Sequence, residues 1–304
     1  MAAALTPSNT PVLLTLSASE LATRTLTTHT LQHALRALHA DGLVALANAV
    51  SPEHLSALNA AMQRDAAALA ARRSSIHHNF GAATGNVQQE PPTTPGLVFA
   101  DIVANPFATA ITECALGPRP VLRFYSANTA FRARGRQPVH VDLDCAFPVE
   151  MPVGFCVNVC LEEVGVENGA TEVWLGSHLS HLWGTGTGTG VGTGEHADEI
   201  DPVLVEERRK VRPPVRMCLP KGALVIRDFR LWHAGMPNLT DSPRVMLVTI
   251  HFARWWRSKL KVRLEEGSKS KIEWGGLQPA IEWVESGYDY LRGAHDFTFA
   301  QDAE

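Results

Sequence analysis

The amino-acid sequence predicts a mainly β protein in which helices on the N-terminal side flank an antiparallel sandwich or barrel of strands. The 304 residues are 45% hydrophobic and 19% charged, which is the composition of a folded globular chain. Helical periodicity is found over about 18–73, and short apolar runs separated by turn residues fill about 97–254. We therefore expect a flexible N-terminus, 1–17, followed by a single domain, 18–304, that ends in a tail, 255–304.

The N-terminal part is predicted to contain two helices. Apolar residues recur at the helical spacing, first at Leu31, Leu35 and Leu38 and then at Leu55, Leu58 and Met62. Asp41-Gly42 ends the first helix, and Ser51-Pro52 supplies a cap residue and a first-turn proline for the second. Between these signals, 43–47 is predicted to form a short strand.

Seven later runs are predicted to be strands because they are apolar and bounded by turn residues. They are 121–131, 139–145, 154–162, 170–175, 215–219, 223–229 and 245–253. The Gly-Thr repeat 184–194 favours neither a helix nor a strand interior, so it predicts a mobile loop, either a lid or an insertion without a role. The tryptophans of the tail indicate a packed segment or a homodimer contact.

Charge and composition argue against several classes of partner. The net charge of -4 and the pI near 6.4 give no general attraction to nucleic acid or to anionic lipid. The sequence has no apolar run of the ~20 residues that a membrane helix requires, and its first residues do not resemble a secretory signal. The five scattered cysteines are expected to be reduced. We expect a cytoplasmic protein that binds neither nucleic acid nor membrane and acts on a small molecule.

The residues that indicate chemistry are two histidines and an aspartate. In the run 137–144, side chains alternate between strand faces, so His140 and Asp142 point the same way while valines occupy the other face. His233 follows an apolar strand, 91 positions after Asp142. Two imidazoles and one carboxylate suit non-haem Fe(II), because this set leaves positions open for further ligands. A structural zinc site would instead be closed by four protein ligands.

Other polar residues are candidates for binding. Arg244 lies 11 residues after His233, and a hairpin there would return its guanidinium to the metal, where it could grip a carboxylate. Arg123 and Tyr125 share one strand face, and Cys156, Asn158 and Cys160 share a face of another strand. These side chains either line a substrate chamber or make structural polar pairs.

Together these motifs resemble the phytanoyl-CoA dioxygenase family. The resemblance covers about 18–254 and is carried by Gln137-x-x-His140-x-Asp142, the block from Glu167-Asn168-Gly169-Ala170-Thr171 to Gly176-Ser177-His178, Trp232-His233 and Arg244. It implies a double-stranded β-helix, that is, a jelly-roll or cupin-like core, with the triad at the barrel mouth. It also implies an oxygenase that uses Fe(II), 2-oxoglutarate as cosubstrate and O2. Gln137 and Thr171 would then hydrogen-bond 2-oxoglutarate, and Arg244 would hold its distal carboxylate.

The resemblance leaves the reaction and substrate open. Hydroxylation of a secondary metabolite is the first expectation, and desaturation or rearrangement would use the same residues. Asp142 argues against halogenation, which needs an open position in place of the carboxylate. Gly235 departs from the family, which often has a hydroxyl residue two positions after the second histidine. A zinc-dependent hydrolase or isomerase and a non-catalytic jelly-roll binding protein are the alternatives.

Overall fold

A computed structural model describes residues 9–72, 76–142, 151–179 and 199–292. The predicted Gly-Thr loop, 184–194, lies outside these ranges, as do Asp144 and the end of the predicted strand 139–145. The six helices of the described residues are α1 Ala18–Thr23, α2 Thr28–Asp41, α3 Pro52–Ala71, α4 Ala100–Val103, α5 Pro106–Leu116 and α6 Pro202–Val211. None of them is both long and apolar enough to cross a bilayer.

The two predicted helices are α2 and α3, and the end of α2 and the start of α3 lie where the sequence indicated them, whereas the short helix α1 was not predicted as a separate element. Ser17 caps α1 in a capping box with Glu20, and Ser51 caps α3, whose first residue is Pro52. Gly42 ends α2 in the left-handed region, with φ of 75°. The predicted helix break and the strand after it are therefore confirmed.

Helices α4, α5 and α6 were not predicted. In α5 the buried residues lie on several sides of the helix, and they include Phe107, Thr109, Ile111 and Thr112. A helix that is buried in this way lacks the single apolar stripe on which periodicity depends. Its Asn105 cap and Pro106 are nevertheless the usual signals of a helix start.

The main sheet has eight strands and lies at the centre of the molecule. Seven follow the order β1-β2-β8-β5-β10-β4-β12, and β3 also pairs with β4. Their bounds are β1 Leu13–Thr15, β2 Leu43–Ala47, β3 Asn86–Gln89, β4 Val121–Ala130, β5 Gly154–Cys160, β8 Leu224–Asp228, β10 Arg244–Phe252 and β12 Gln278–Pro279. Apart from the parallel edge strands β1 and β12, the pairing is antiparallel. The expectation of a flexible 1–17 is wrong for β1, because its backbone pairs with β2.

A second, three-stranded sheet packs against the main sheet. It has the order β7-β6-β9, with β6 Glu172–Val173, β7 Val215–Arg216 and β9 His233–Ala234. Buried apolar side chains of both sheets, such as Val173, Met217, Val225 and Met246, pack in one cluster between them. In the tail, β11 Val262–Glu265 pairs with β13 Ile281–Val284, and Trp256 is buried in the main core. The mainly β fold with flanking helices is confirmed.

Candidate metal centre

A backbone bridge between two distant segments brings the two histidines together. The His140 N–H donates to the His233 carbonyl over 2.9 Å, and the His233 N–H donates back over 3.0 Å. Asp142 is held two residues further on, where its N–H donates to the Phe229 carbonyl over 3.1 Å. Because alternate residues share a face, His140 and Asp142 point to the same side as His233.

The three side chains converge on one position. One ligand atom from each of His140, Asp142 and His233 lies within 4.8 Å of the other two, and no other such group of three is found in the part of the chain that the structure describes. Nε2 of His233 lies 3.4 Å from Oδ1 of Asp142. The predicted triad is therefore assembled in space.

Both imidazoles are oriented for a metal. Nδ1 of His140 lies 2.9 Å from the Pro138 carbonyl, and Nδ1 of His233 lies 3.1 Å from the Leu231 carbonyl. A carbonyl only accepts, so Nδ1 of His140 is the donor and its Nε2 keeps a lone pair; in the tautomer of His233 that donates to Leu231, Nε2 is likewise available to a metal. Burial, with a smaller contribution from His233, lowers the pKa of His140 to about 3, so this ring is neutral at physiological pH.

The carboxylate is ionised although it is buried. Burial by itself would raise the pKa of Asp142, but the Arg227 guanidinium and the nearby histidines hold it well below its usual range. Two imidazoles and one carboxylate form an open set of three ligands. This donor set fits Fe(II) and differs from the four ligands that close a structural zinc site.

The triad opens into a cavity of about 480 Å³. Gln137, Thr171 and Arg244 all line this cavity with the triad. Arg244 is 3% exposed, and its Nη2 and Nε donate to the carbonyls of Gly169 and Asn168 over 3.1 and 3.3 Å. The three residues assigned to 2-oxoglutarate by resemblance are thus in the same chamber as the metal ligands.

Comparison with protein-family models identifies a family over most of the chain. Residues 38–246 match the model of the phytanoyl-CoA dioxygenase (PhyH) family. The chain belongs to the phytanoyl-CoA dioxygenase family. The predicted family, which is a family of oxygenase enzymes, is confirmed.

A curated relative and several solved structures resemble this PhyH chain. "Dioxygenase af480" of Aspergillus fumigatus is 27% identical over 177 residues, which are 55% of this chain and 51% of the relative, so the match spans about half of the relative's length. The epimerase SnoN, solved in complex with Fe3+, alpha ketoglutarate and nogalamycin RO, is similar with a TM-score of 0.55, 20% identity, and coverage of 74% of this chain and 84% of SnoN. EctD from S. alaskensis, in its apoform, has a TM-score of 0.55, 17% identity, and coverage of 92% and 94%. At these identities the structures show the fold, and the predicted jelly-roll core is confirmed.

The departure of this PhyH chain at Gly235 has a local cause. The Gly235 N–H donates to Oε1 of Gln137 over 2.7 Å, and a Cβ at position 235 would overlap that oxygen. A hydroxyl side chain is therefore incompatible with this placement of Gln137. The glycine and the glutamine form a matched pair.

The path by which Arg244 reaches the cavity differs from the predicted hairpin. His233 is in β9 of the small sheet, whereas Arg244 begins β10 of the main sheet. The two residues come together because the two sheets enclose the same cavity, not because consecutive strands pair. The predicted proximity is correct, and the predicted hairpin is wrong.

Arg123 and Tyr125, two of the predicted substrate residues, lie outside the cavity lining. Phe124 and Asn128 of β4 line the cavity, so alternation directs Arg123 and Tyr125 to the opposite face. Nη1 of Arg123 donates to the Ser258 carbonyl over 2.6 Å, which gives it a structural contact with the C-terminal segment. The assignment of Arg123 and Tyr125 to the chamber is therefore corrected. Cys156 and Asn158 do line the cavity, whereas Cys160 is packed in the core between the sheets.

Sequence reasoning also missed residues that line the cavity. Arg227 was missed, and it forms an ion pair with Asp142. Cys156 was a candidate for the chamber, but its thiol contact with the same carboxylate, over 3.2 Å, was not predicted. Phe80 packs on His140 with ring centroids 4.4 Å apart. An arginine inside the apolar run of β8 was a usable signal, because a charge at a strand position that faces the core requires a buried partner.

Proposed function

We propose that this chain is an Fe(II)- and 2-oxoglutarate-dependent oxygenase that oxidises a small organic substrate. The observation that carries the proposal is the convergence of His140, Asp142 and His233 in a cavity that Arg244 also lines. When bound, iron, 2-oxoglutarate and O2 supply the oxidising chemistry, and 2-oxoglutarate leaves as succinate and CO2.

The protein's own groups hold and orient the reactants. His140, Asp142 and His233 would hold the metal and leave one side of it open to the cavity. The guanidinium of Arg244 would pair with the distal carboxylate of 2-oxoglutarate, since its planar donors match a carboxylate. The Gln137 amide and the Thr171 hydroxyl would supply hydrogen bonds from the same wall. The buried position of the ligands excludes bulk water and strengthens these charge interactions.

The cavity lining suggests the kind of substrate. Carboxamides of Gln88, Asn128 and Asn158 are combined there with the apolar side chains of Phe80 and Phe124. Such a lining suits a compact molecule that has one hydrogen-bonding side and one apolar side. We infer a secondary metabolite as substrate, which agrees with the similarity to SnoN and to the carbocyclase SnoK from nogalamycin biosynthesis, a structure with a TM-score of 0.54 and 18% identity.

The reaction type and setting also belong to this proposal. We expect hydroxylation, with desaturation or rearrangement as other outcomes of the same site. SnoN is described as an epimerase and SnoK as a carbocyclase, whereas a structure of EctD contains 5-hydroxyectoine with 2-oxoglutarate. We further propose a cytoplasmic enzyme that acts on a small molecule and needs neither nucleic acid nor membrane.

The test is succinate release from 2-oxoglutarate by protein loaded with Fe(II). We expect slow release without substrate, and loss of release and of most metal binding in His140→Ala and in His233→Ala. Arg123→Ala is a matched control, because Arg123 lies outside the cavity lining. Retained release in both histidine variants would refute the triad. Zinc dependence with no use of 2-oxoglutarate would instead indicate a hydrolase or isomerase.

A further inference from the structure

Two donors contact the same oxygen of the Asp142 carboxylate. Oδ2 accepts a hydrogen bond from Nη2 of Arg227 and another from the Cys156 thiol, whose sulfur lies 3.2 Å away. The other oxygen, Oδ1, lies 3.4 Å from Nε2 of His233 and so faces the other ligand atoms. Asp142 therefore offers one oxygen to the metal position, while its second oxygen is already engaged.

The two donors are neighbours across the main sheet. Cys156 in β5 pairs in register with Arg227 in β8, so both side chains project from the same face toward the cavity. Both residues are buried. A buried guanidinium keeps its charge and requires an anionic partner, and Asp142 is that partner for Arg227.

The nearby histidine does not replace this partner. Nη1 of Arg227 lies 3.3 Å from Nδ1 of His233, and the same Nδ1 lies 3.1 Å from the Leu231 carbonyl. When Nε2 is kept free for a metal, Nδ1 carries the proton and donates to that carbonyl. It then cannot accept from Arg227. In the form that binds metal, Asp142 is thus the residue that orients the guanidinium.

We propose that Arg227, assisted by Cys156, is a positioning residue that makes Asp142 bind the metal through one oxygen only. This inference rests on the proposed function. Two imidazoles and one carboxylate oxygen leave three of six coordination positions open. 2-Oxoglutarate requires two of these positions and O2 requires the third. A carboxylate that bound through both oxygens would occupy one of them, so the contacts on Oδ2 keep the site open.

The proposal predicts opposite effects on two affinities. Replacement of Arg227 by Met removes a positive charge from beside the metal and releases Oδ2 to chelate it, so metal affinity is retained or increased. The affinity of the metal-loaded protein for 2-oxoglutarate then falls, because Oδ2 occupies a position that the cosubstrate requires. A merely structural role would lower metal affinity and leave 2-oxoglutarate affinity unchanged.

The experiment is anaerobic calorimetry of Arg227→Met, titrated first with Mn(II) and then with 2-oxoglutarate. Absorption spectra of the Co(II)-loaded protein report on the coordination of the metal. We expect retained Mn(II) affinity, weaker 2-oxoglutarate binding and an altered Co(II) spectrum, whereas the control Arg123→Met behaves as the wild type. If wild type and Arg227→Met have equal affinities and spectra, the positioning role is refuted although the proposed function stands. If the wild type itself binds neither Mn(II) nor 2-oxoglutarate, the proposed function fails.

A second pair of variants tests the same contact without removing the charge. Cys156→Ala deletes the thiol donor to Oδ2, and Cys156→Ser keeps an O–H donor at that position. We expect a smaller loss of 2-oxoglutarate affinity in the alanine variant and recovery toward wild type in the serine variant. Equal 2-oxoglutarate affinities in wild type and Cys156→Ala would refute the contribution of Cys156. These two variants can be measured even if Arg227→Met does not fold.

Discussion

At the scale of single residues, strand alternation decides which polar groups meet the cavity. In β10, Arg244, Met246, Val248 and Ile250 line it at every second position. Arg244 is the charged member of this row, and burial lowers its pKa. Its charge therefore gains from pairing with an anion inside the cavity.

Replacement of Arg244 tests that pairing. Loss of a desolvated, hydrogen-bonded charge pair costs about 2–5 kcal/mol. At about 1.4 kcal/mol per decade, Arg244→Ala should raise the 2-oxoglutarate requirement by tens to thousands of times. Metal affinity should change little, because Arg244 contacts no metal ligand in the described residues. An unchanged KM for 2-oxoglutarate would assign the distal carboxylate to another residue.

Gly235 gives a second test at this scale. Gly235→Ser introduces a Cβ where Oε1 of Gln137 now accepts the Gly235 N–H, so the amide must move. We expect weaker 2-oxoglutarate binding with metal affinity retained, as measured by calorimetry. The combined variant Gly235→Ser with Gln137→Ala should show no further loss beyond Gln137→Ala alone. An additional loss would show that the glycine acts independently of Gln137.

At the scale of elements, one carboxylate forms hydrogen bonds at the starts of both α1 and α2. Glu20 in α1 accepts hydrogen bonds from the Ser17 N–H and hydroxyl over 2.9 and 2.8 Å, and from the Thr27 N–H over 2.8 Å. Ser17 is the N-cap of α1 and Thr27 is the N-cap of α2. These hydrogen bonds, with the one to Ser17 first, lower the pKa of Glu20 to about 2. The start of α2 is thereby tied to α1.

This contact predicts a pH-dependent contribution to stability. Because the pKa of Glu20 is lower in the folded protein than its usual 4.5, its contribution is complete above that value and is lost as pH falls toward about 2. Glu20→Gln should destabilise the protein by about 1 kcal/mol near neutral pH, the typical value for a lost helix cap. The matched variant Glu53→Gln, in the first turn of α3, should have a smaller effect. Urea unfolding at several pH values measures the free energy of unfolding of each variant. If Glu20→Gln remains less stable than the wild type at low pH, the predicted pH dependence is wrong.

At the scale of the whole molecule, the site joins the two sheets. His233 belongs to the small sheet, and the segment with His140 and Asp142 bridges to it, while Arg227 and Cys156 project from the main sheet. A metal bound by the triad would therefore connect segments that are far apart in sequence. Ligands that bind only the folded state raise its stability by mass action.

Metal and cosubstrate should accordingly stabilise the whole fold. At a concentration 100 times its Kd, a ligand contributes about 2.7 kcal/mol. Mn(II) with 2-oxoglutarate under anaerobic conditions should raise Tm by several °C, and a chelator should reverse the shift. His140→Ala should show little shift, although Arg123→Ala should respond as the wild type does. An equal Tm shift in His140→Ala would place the metal elsewhere.

The sequence alone determined what depends on near neighbours in the chain. The alternation around His140 and Asp142, the caps at Ser51-Pro52 and Gly42 and the motif residue His233 each depend on local spacing or residue type, so they could be predicted. Tertiary structure decided which strand face meets the cavity, and it directed Arg123 and Tyr125 away while it brought in Arg227. It also determined the hydrogen bond from the Gly235 N–H to Gln137. Arg244 reaches the cavity because the two sheets lie on opposite sides of it. Local periodicity identifies the two faces of a strand, but which strands pair and which face meets the cavity depend on contacts between segments tens of residues apart in the chain.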